Sequence, residues 1–312
     1  MIVAFGSITI DLITPVPQLP KRGETVLGRD YAVVPGGKGA NQALAAQRGA
    51  QPGQRVALVG TIGGDAWGEA ALEQVRAAGV DLSAVARGRL RTACGFISVD
   101  PQGQTIITAA PGASMETRAT QLDGLSPRLG PGDWLVMQME IGLEENWRAL
   151  RAAKAAGART LLNLAPAMPV DSAVLSDLDM LVVNEHEART LGDLFAIAAP
   201  ELEDIARALA SCFALTCVVT LGEAGSLAVE PSGTMWRVGA LPVAVVDTTG
   251  AGDAYAGYLT AALDGGAALG EAMRFASAGA SLSCTVTGAQ TGYLARADVM
   301  ARMADLAPPQ KS

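Results

Sequence analysis

Histidine is nearly missing from this 312-residue chain: His186 stands alone, so a histidine-rich zinc site is excluded and a hydrolase triad would need that one residue in its pocket. We read it as a bystander. The four cysteines, Cys94, Cys212, Cys217 and Cys284, have no CxxC spacing and no clustered histidine, which argues for reduced core residues rather than a metal or disulfide framework. Aromatic residues make up only 4%, and no apolar run approaches the roughly 18 to 20 residues of a membrane-spanning helix. The start, Met1 to Gly6, is strand-like with no basic leader, so a cytoplasmic location is expected. Basic residues are the minority, 23 against 31 acidic, and the net charge of −8 argues against nucleic-acid or anionic-membrane partners, which need basic patches. Small anionic substrates bound locally stay open.

What is present suits a buried core. Half the residues are apolar and 17% charged, and strand-like and helix-like runs alternate, which predicts a parallel sheet covered by helices on both faces. The expected strands include Ile2 to Phe5, Arg55 to Gly60, Trp134 to Gln138, Arg159 to Asn163, Asp179 to Val183 and Thr216 to Leu221. Between them lie expected helices over 65–78, 144–156, 185–191 and 201–212, and then 251–263, 270–284 and 297–306. Gly6 to Asp11 reads as a continuation of the first strand, and 308–312 as a frayed tail. Glu24 to Val34, Thr92 to Val99 and Thr105 to Ala109 interrupt the rhythm and predict a small extra sheet, a lid built from about 10–34 and 91–110. No linker or repeat divides the chain, so a single domain is expected over 1–312.

The stretch Asp247-Thr248-Thr249-Gly250-Ala251-Gly252-Asp253 follows an apolar, strand-like run, Val243 to Val246, and opens a helix. Unpaired amides at such a helix start can hold phosphate oxygens, and Asp253 would stand beside them as a proton acceptor. Glycines there also permit tight helix–sheet packing. A second stretch, Gly36-Gly37-Lys38-Gly39-Ala40-Asn41-Gln42-Ala43, opens another helix, with Lys38 and Asn41 on one face. Asn41 can both donate to and accept from a vicinal diol, although a helix start with a solvated lysine fits as well. Asp11 and Thr9 share a strand face, where a carboxylate suits a polyhydroxylated ligand or simply a strand end. Glu140, Asn163, Asn184 and Glu187 each follow a strand, where ligands of open parallel sheets bind. Thr220 to Gly225 is a further glycine-bearing turn after a strand. A Walker A loop is absent, and no GxGxxG follows the first strand, which excludes the usual dinucleotide fingerprint.

These two stretches, in this order and at this distance, resemble the paired signatures of the ribokinase-like (PfkB) carbohydrate kinases, and the likeness runs from Gly6 to about Gly292. The resemblance implies an α/β fold, a ribokinase-like three-layer sandwich with a mainly parallel central sheet and a small β lid that packs on a partner lid as a homodimer. It implies ATP-dependent phosphorylation of the primary 5-hydroxyl of D-ribose. By motif, Asp11, Gly37, Lys38, Asn41 and Glu140 would hold the sugar, with Thr9 where such enzymes usually carry Asn. Asp253 would be the base, and Gly250, Ala251 and Gly252 the anion hole. Asn184 and Glu187 match an NxxE element linked to Mg²⁺ and phosphate, Glu187 acting indirectly. Thr220, Gly222, Gly225, Gly252 and Ser277 would line the ATP. Asp247, Thr249, Ser283, Val286 and Gly288 match a loop pair that binds a monovalent cation, K⁺ being the expected one, with Gly292 where a serine often completes the shell. Competing expectations are a nucleoside kinase, a kinase of another pentose or ketose, and a non-catalytic sugar- or nucleotide-binding regulator.

Overall fold

In the computed structural model, which describes residues 1–312, the strand Ile2–Phe5 alternates between two cores. Ile2 and Ala4 face one, Val3 and Phe5 the other. A strand buried on both faces needs apolar side chains at every position, which is why this run is uninterrupted. Val56–Ile62 and Trp134–Met137 flank it in parallel, and Arg159–Asn163, Met180–Asn184 and Thr216–Thr220 extend the parallel order outward. Val85–Arg87 closes one edge of this ten-stranded sheet. At the other edge Ser226–Val229, Met235–Val238 and Gln310–Lys311 run antiparallel.

Helices Lys38–Gly49, Ala251–Asp264 and Leu269–Ser283 cover one face through Leu44, Tyr258 and Phe275. Helices Leu143–Ala155, Glu185–Leu194 and Leu202–Phe213 cover the other through Leu150, Leu191 and Leu209. No helix is long and apolar enough to cross a membrane. A separate four-stranded lid sheet runs in the order Ala32–Gly36, Thr9–Pro15, Ala93–Val99, Thr105–Ala110.

Several expected elements differ. The first strand ends at Phe5, and Thr9–Pro15 belongs to the lid, because Gly6 and Gly39 pack so closely that the chain must leave the main sheet there. Of the 24–34 run only the part from Ala32 onward is strand, within Ala32–Gly36; residues 24–31 join no ladder. Val243 to Val246 is not a ladder strand: Val245 and Val246 are exposed, and Val246 N–H bonds Cys284 O at 2.8 Å. The tail is not frayed, since Ser312 exchanges two backbone bonds with Met235 and Lys311 lies over the Trp236 ring. Cys94, Cys217 and Cys284 are buried as expected, but Cys212 is exposed; all four are unpaired.

Helices Lys38–Gly49 and Ala251–Asp264 touch at Gly257, where a Cβ would stand 2.6 Å from Ala45 Cβ and 2.7 Å from Gln42 O. Backbone cannot yield there as a flexible side chain would. Gly257→Val is therefore expected to cost about 1–3 kcal/mol as overpacking, seen as a lower urea midpoint at unchanged m-value.

Candidate active site

Gly250 caps helix Ala251–Asp264 in the left-handed region at φ 76°, and a Cβ on it would lie 2.4 Å from Ala289 Cβ. Only glycine meets both demands. The Ala251 N–H turns back to Thr248 O at 3.2 Å, and Ala254 N–H is the first to bond along the helix, to Gly250 O at 2.8 Å. That leaves the Gly252 and Asp253 amides without a partner at the positive helix end. Of the three expected anion-hole residues, Ala251 is thus the one whose amide is already engaged.

Asp253 is 5% exposed, and both its oxygens accept amide hydrogen bonds. Asn41 Nδ2 donates to Oδ2 at 2.9 Å, and Gln42 Nε2 to Oδ1 at 2.9 Å. Asn41 Oδ1 in turn accepts from Gln290 Nε2 at 3.0 Å, which leaves one Nδ2 hydrogen of Asn41 free. Gln42, Gln138 and Gln290 were not singled out in the sequence. A glutamine among Ala40, Ala43 and Leu44 on a buried helix face was the available signal, because such an amide must find polar partners inside.

Asp253, Gly250 and Gly252 line a cavity of ≈ 210 Å³ with Lys38, Asn163, Asn184, Glu187 and Thr220. The negative Asp253 beside Lys38 raises the ammonium's pKa; burial opposes this, and Glu140, Glu187 and Asp11 add to it. Asn184 and Glu187 form a capping box, each bonding the other's backbone N–H at 2.8 Å. Burial pushes the Glu187 carboxyl up, and the Asn184 amide and Lys38 only partly offset it.

Under the lid, Glu140 Oε2 accepts from Ser7 Oγ at 2.5 Å and from Lys38 N–H at 3.1 Å, with Lys38 Nζ 4.0 Å from Oε1. Gly37 turns the chain there at φ 90°. Asp11 is half-buried opposite Gly95, and burial together with Glu140 raises its pKa to about 6, against the Thr9 hydroxyl, Lys38 and the Gly95 amide. Gly222 and Gly225 form the turn after Thr220, both at positive φ. Ser277 lies apart from the cavity, buried and donating to Gly239 O at 2.6 Å. Asp247 bridges two loops, accepting from Thr249 N–H at 2.9 Å and Gly288 N–H at 2.8 Å. Burial would raise its carboxyl, but the Gly288 amide and Thr249 outweigh it and hold the pKa low. Val286 is exposed beside these loops and Ser283 buried; a side chain at Gly292 would meet Ser283 O at 2.4 Å, so the serine that the resemblance would put there has no room without a shift.

Residues 1–296 match the model of the pfkB family of carbohydrate kinases. The chain belongs to this family. It is 34% identical over 302 residues to the ribokinase of Bacillus subtilis and 33% over 301 to that of Lactococcus lactis, covering 96% of this chain in both cases and 97% and 96% of those proteins. A deoxyribokinase of Salmonella typhi is 31% identical over 299 residues, 94% of this chain and 95% of that one. Among solved structures, the Thermotoga maritima ribokinase superposes with a TM-score of 0.88 at 31% identity, covering 97% of this chain and 99% of that chain. The Arabidopsis thaliana ribokinase complexed with ribose and ATP gives 0.85 at 29%, covering 97% and 98%. The ribokinase-like fold is therefore this protein's fold, and it is a sugar kinase by family.

The raised Asp11 value means that the folded protein holds this proton more tightly than the unfolded chain does. Its effect on stability is favourable at low pH and lost as pH rises from 3.8 through about 6. Asp11→Asn is expected to melt at a higher temperature than the unaltered protein at pH 7.5, with the difference vanishing at pH 4, measured by calorimetry.

Proposed function

We propose that the protein transfers the γ-phosphoryl group of ATP to the primary 5-hydroxyl of D-ribose. The observation that carries this is the buried Asp253 carboxylate, fixed by two amide donors at the start of a glycine-led helix and facing a cavity shared with Lys38. A carboxylate has about four acceptor positions, so two amides leave room for a hydroxyl. Asp253 accepts the hydroxyl proton as the sugar oxygen attacks phosphorus. The free Gly252 and Asp253 amides and Lys38 meet the charge on the transferring group. Thr9, Asp11, Gly37, Lys38, Asn41 and Glu140 form the sugar side, and Asn184, Thr220, Gly222 and Gly225 the nucleotide side.

Glu187 suits Mg²⁺, which in phosphate sites keeps several waters and needs one or two carboxylates. Burial disfavours the Glu187 charge, so a nearby cation would relieve it, and Asn184 holds it in place. Bound there, the metal would neutralise phosphate charge. For K⁺, Asp247, Thr249 and the carbonyls near Ser283, Val286 and Gly288 offer an oxygen-rich loop pair already joined by hydrogen bonds. Exposed Tyr31, Val33, Phe96 and Ile106 on the lid support a homodimer through that sheet. Thr9 favours a second reading, a kinase of 2-deoxyribose or of a nucleoside, since it changes one contact on the sugar side.

Phosphorylation of ribose, 2-deoxyribose, fructose, inosine and adenosine, each with and without K⁺, tests these assignments; turnover of none of them would overturn the kinase reading. Asp253→Asn is expected to lower kcat by about 10² to 10⁴, the usual worth of a general base, while ATP binding measured by calorimetry stays within about threefold. Near-normal kcat in that variant would remove Asp253 from the role.

A further inference from the structure

Around Asp253 the side-chain amides all point the same way. A carboxylate can only accept, so Asn41 and Gln42 must present N–H groups to it. Their oxygens then face outward and must receive donors in turn. Gln290 Nε2 supplies one to Asn41 Oδ1 at 3.0 Å, and Gln138 Nε2 supplies the other to Gln42 Oε1 at 2.7 Å. This order leaves Gln290 Oε1 and Gln138 Oε1 buried without a partner among the protein's own groups. Native interiors rarely leave such atoms orphaned, and a network selected only for packing would have paired them. The polarity of the network is thus set by the charge at its centre.

We propose that Gln42 and Gln290 are positioning residues for Asp253, each fixing one carboxylate oxygen, Gln42 directly and Gln290 through Asn41. The proposal rests on Asp253 acting as the base. Gln42 Nε2 is shared between Asp253 Oδ1 at 2.9 Å and Asn163 Oδ1 at 3.0 Å, and Asn163 Nδ2 is itself held by Val182 O at 3.2 Å. One arm therefore anchors the carboxylate to the central sheet. The other anchors it to the turn Gln290–Gly292, which follows Gly288. Both glutamines are closed off from solvent, Gln42 at 1% and Gln290 at 3% exposure, so both act on the direction from which Asp253 meets the hydroxyl. In the step itself the hydroxyl proton passes to Asp253, the oxygen–phosphorus bond forms, and the bond to the ADP oxygen breaks. Misplacing a reacting group by about 1 Å can cost on the order of 10² in rate.

The test compares Gln42→Met, Gln290→Met and Asp253→Asn in the full-length protein. Both methionine variants are expected to lose about tenfold or more in kcat, with KM for sugar and for ATP within about threefold and melting temperature within about 3 °C. A purely structural role would instead lower melting temperature and disturb KM and kcat together, and that result, or failure of both variants to fold, overturns the proposal. Normal kcat in both methionine variants beside a collapsed Asp253→Asn overturns it while leaving the base in place. Normal kcat in Asp253→Asn removes the base and the proposal together.

Discussion

The structure depends on burying one negative charge at the mouth of one helix. A carboxylate taken out of water is costly unless it is paired and hydrogen-bonded, and Asp253 obtains this from three directions. Asn41 and Gln42 reach it from helix Lys38–Gly49, Lys38 lies on the same cavity, and the start of its own helix contributes a favourable dipole. The two helices must therefore approach closely. That requirement explains the small residues facing each other, Ala45 and Gly257, where one added carbon would reach the neighbouring backbone. Sequence that looks merely small is small because the charge network spans the gap.

The sheet supplies the remaining groups at one edge. Parallel order brings the ends of Arg159–Asn163, Met180–Asn184 and Thr216–Thr220 to one side, and with them Asn163, Asn184 and Thr220. The lid meets the same edge at the Gly36-Gly37 turn, where Glu140 ties the Lys38 backbone to Ser7. The lid strand is also held to the main body by apolar packing, with Ile10 fully buried in the same cluster as Leu58 and Ile62 and Leu12 packed against it.

The parallel sheet, the covering helices and the lid hairpin were legible because each rests on local periodicity and turn chemistry. Lys38, Asn184, Glu187, Thr220, Gly250, Gly252 and Asp253, taken from motif and strand-end position, do come to one cavity. Pairing partners were not legible. Gly6 to Asp11 alternates like one strand, yet the Gly6–Gly39 contact divides it between two sheets. Val243 to Val246 has strand-like residues but no ladder, and the Pro308 to Ser312 tail has loop-like residues yet forms an edge. The amide network escaped for a related reason. The apolar neighbours of Gln42 hint that it is inside, but only the distant carboxylate explains what Gln42, Gln138 and Gln290 do there.

The arrangement also separates what fixes the reaction from what selects the sugar. In the proposed reaction the contacts to Asp253 concern only the hydroxyl that gains phosphate, so any sugar presenting a primary alcohol there would satisfy them. In the same proposal selection falls to the lid strand, where Asp11 lies between Gly36 and Gly95: a Cβ on either would come within 2.5 or 2.4 Å of its oxygens. Glycine on both sides lets that carboxylate lie flat in a narrow slot with its direction fixed by neighbouring backbone. Thr9 shares the slot, and its hydroxyl lowers the Asp11 pKa against burial. Against the amide that the resemblance leads one to expect there, the shorter Thr9 hydroxyl reaches less far from the strand while bracing Asp11. Relatives about as similar to this chain include enzymes for ribose and for deoxyribose, sugars that differ by a single hydroxyl. A change of one polar group beside a fixed carboxylate is on the scale of that difference, whereas the Asp253 network is indifferent to it.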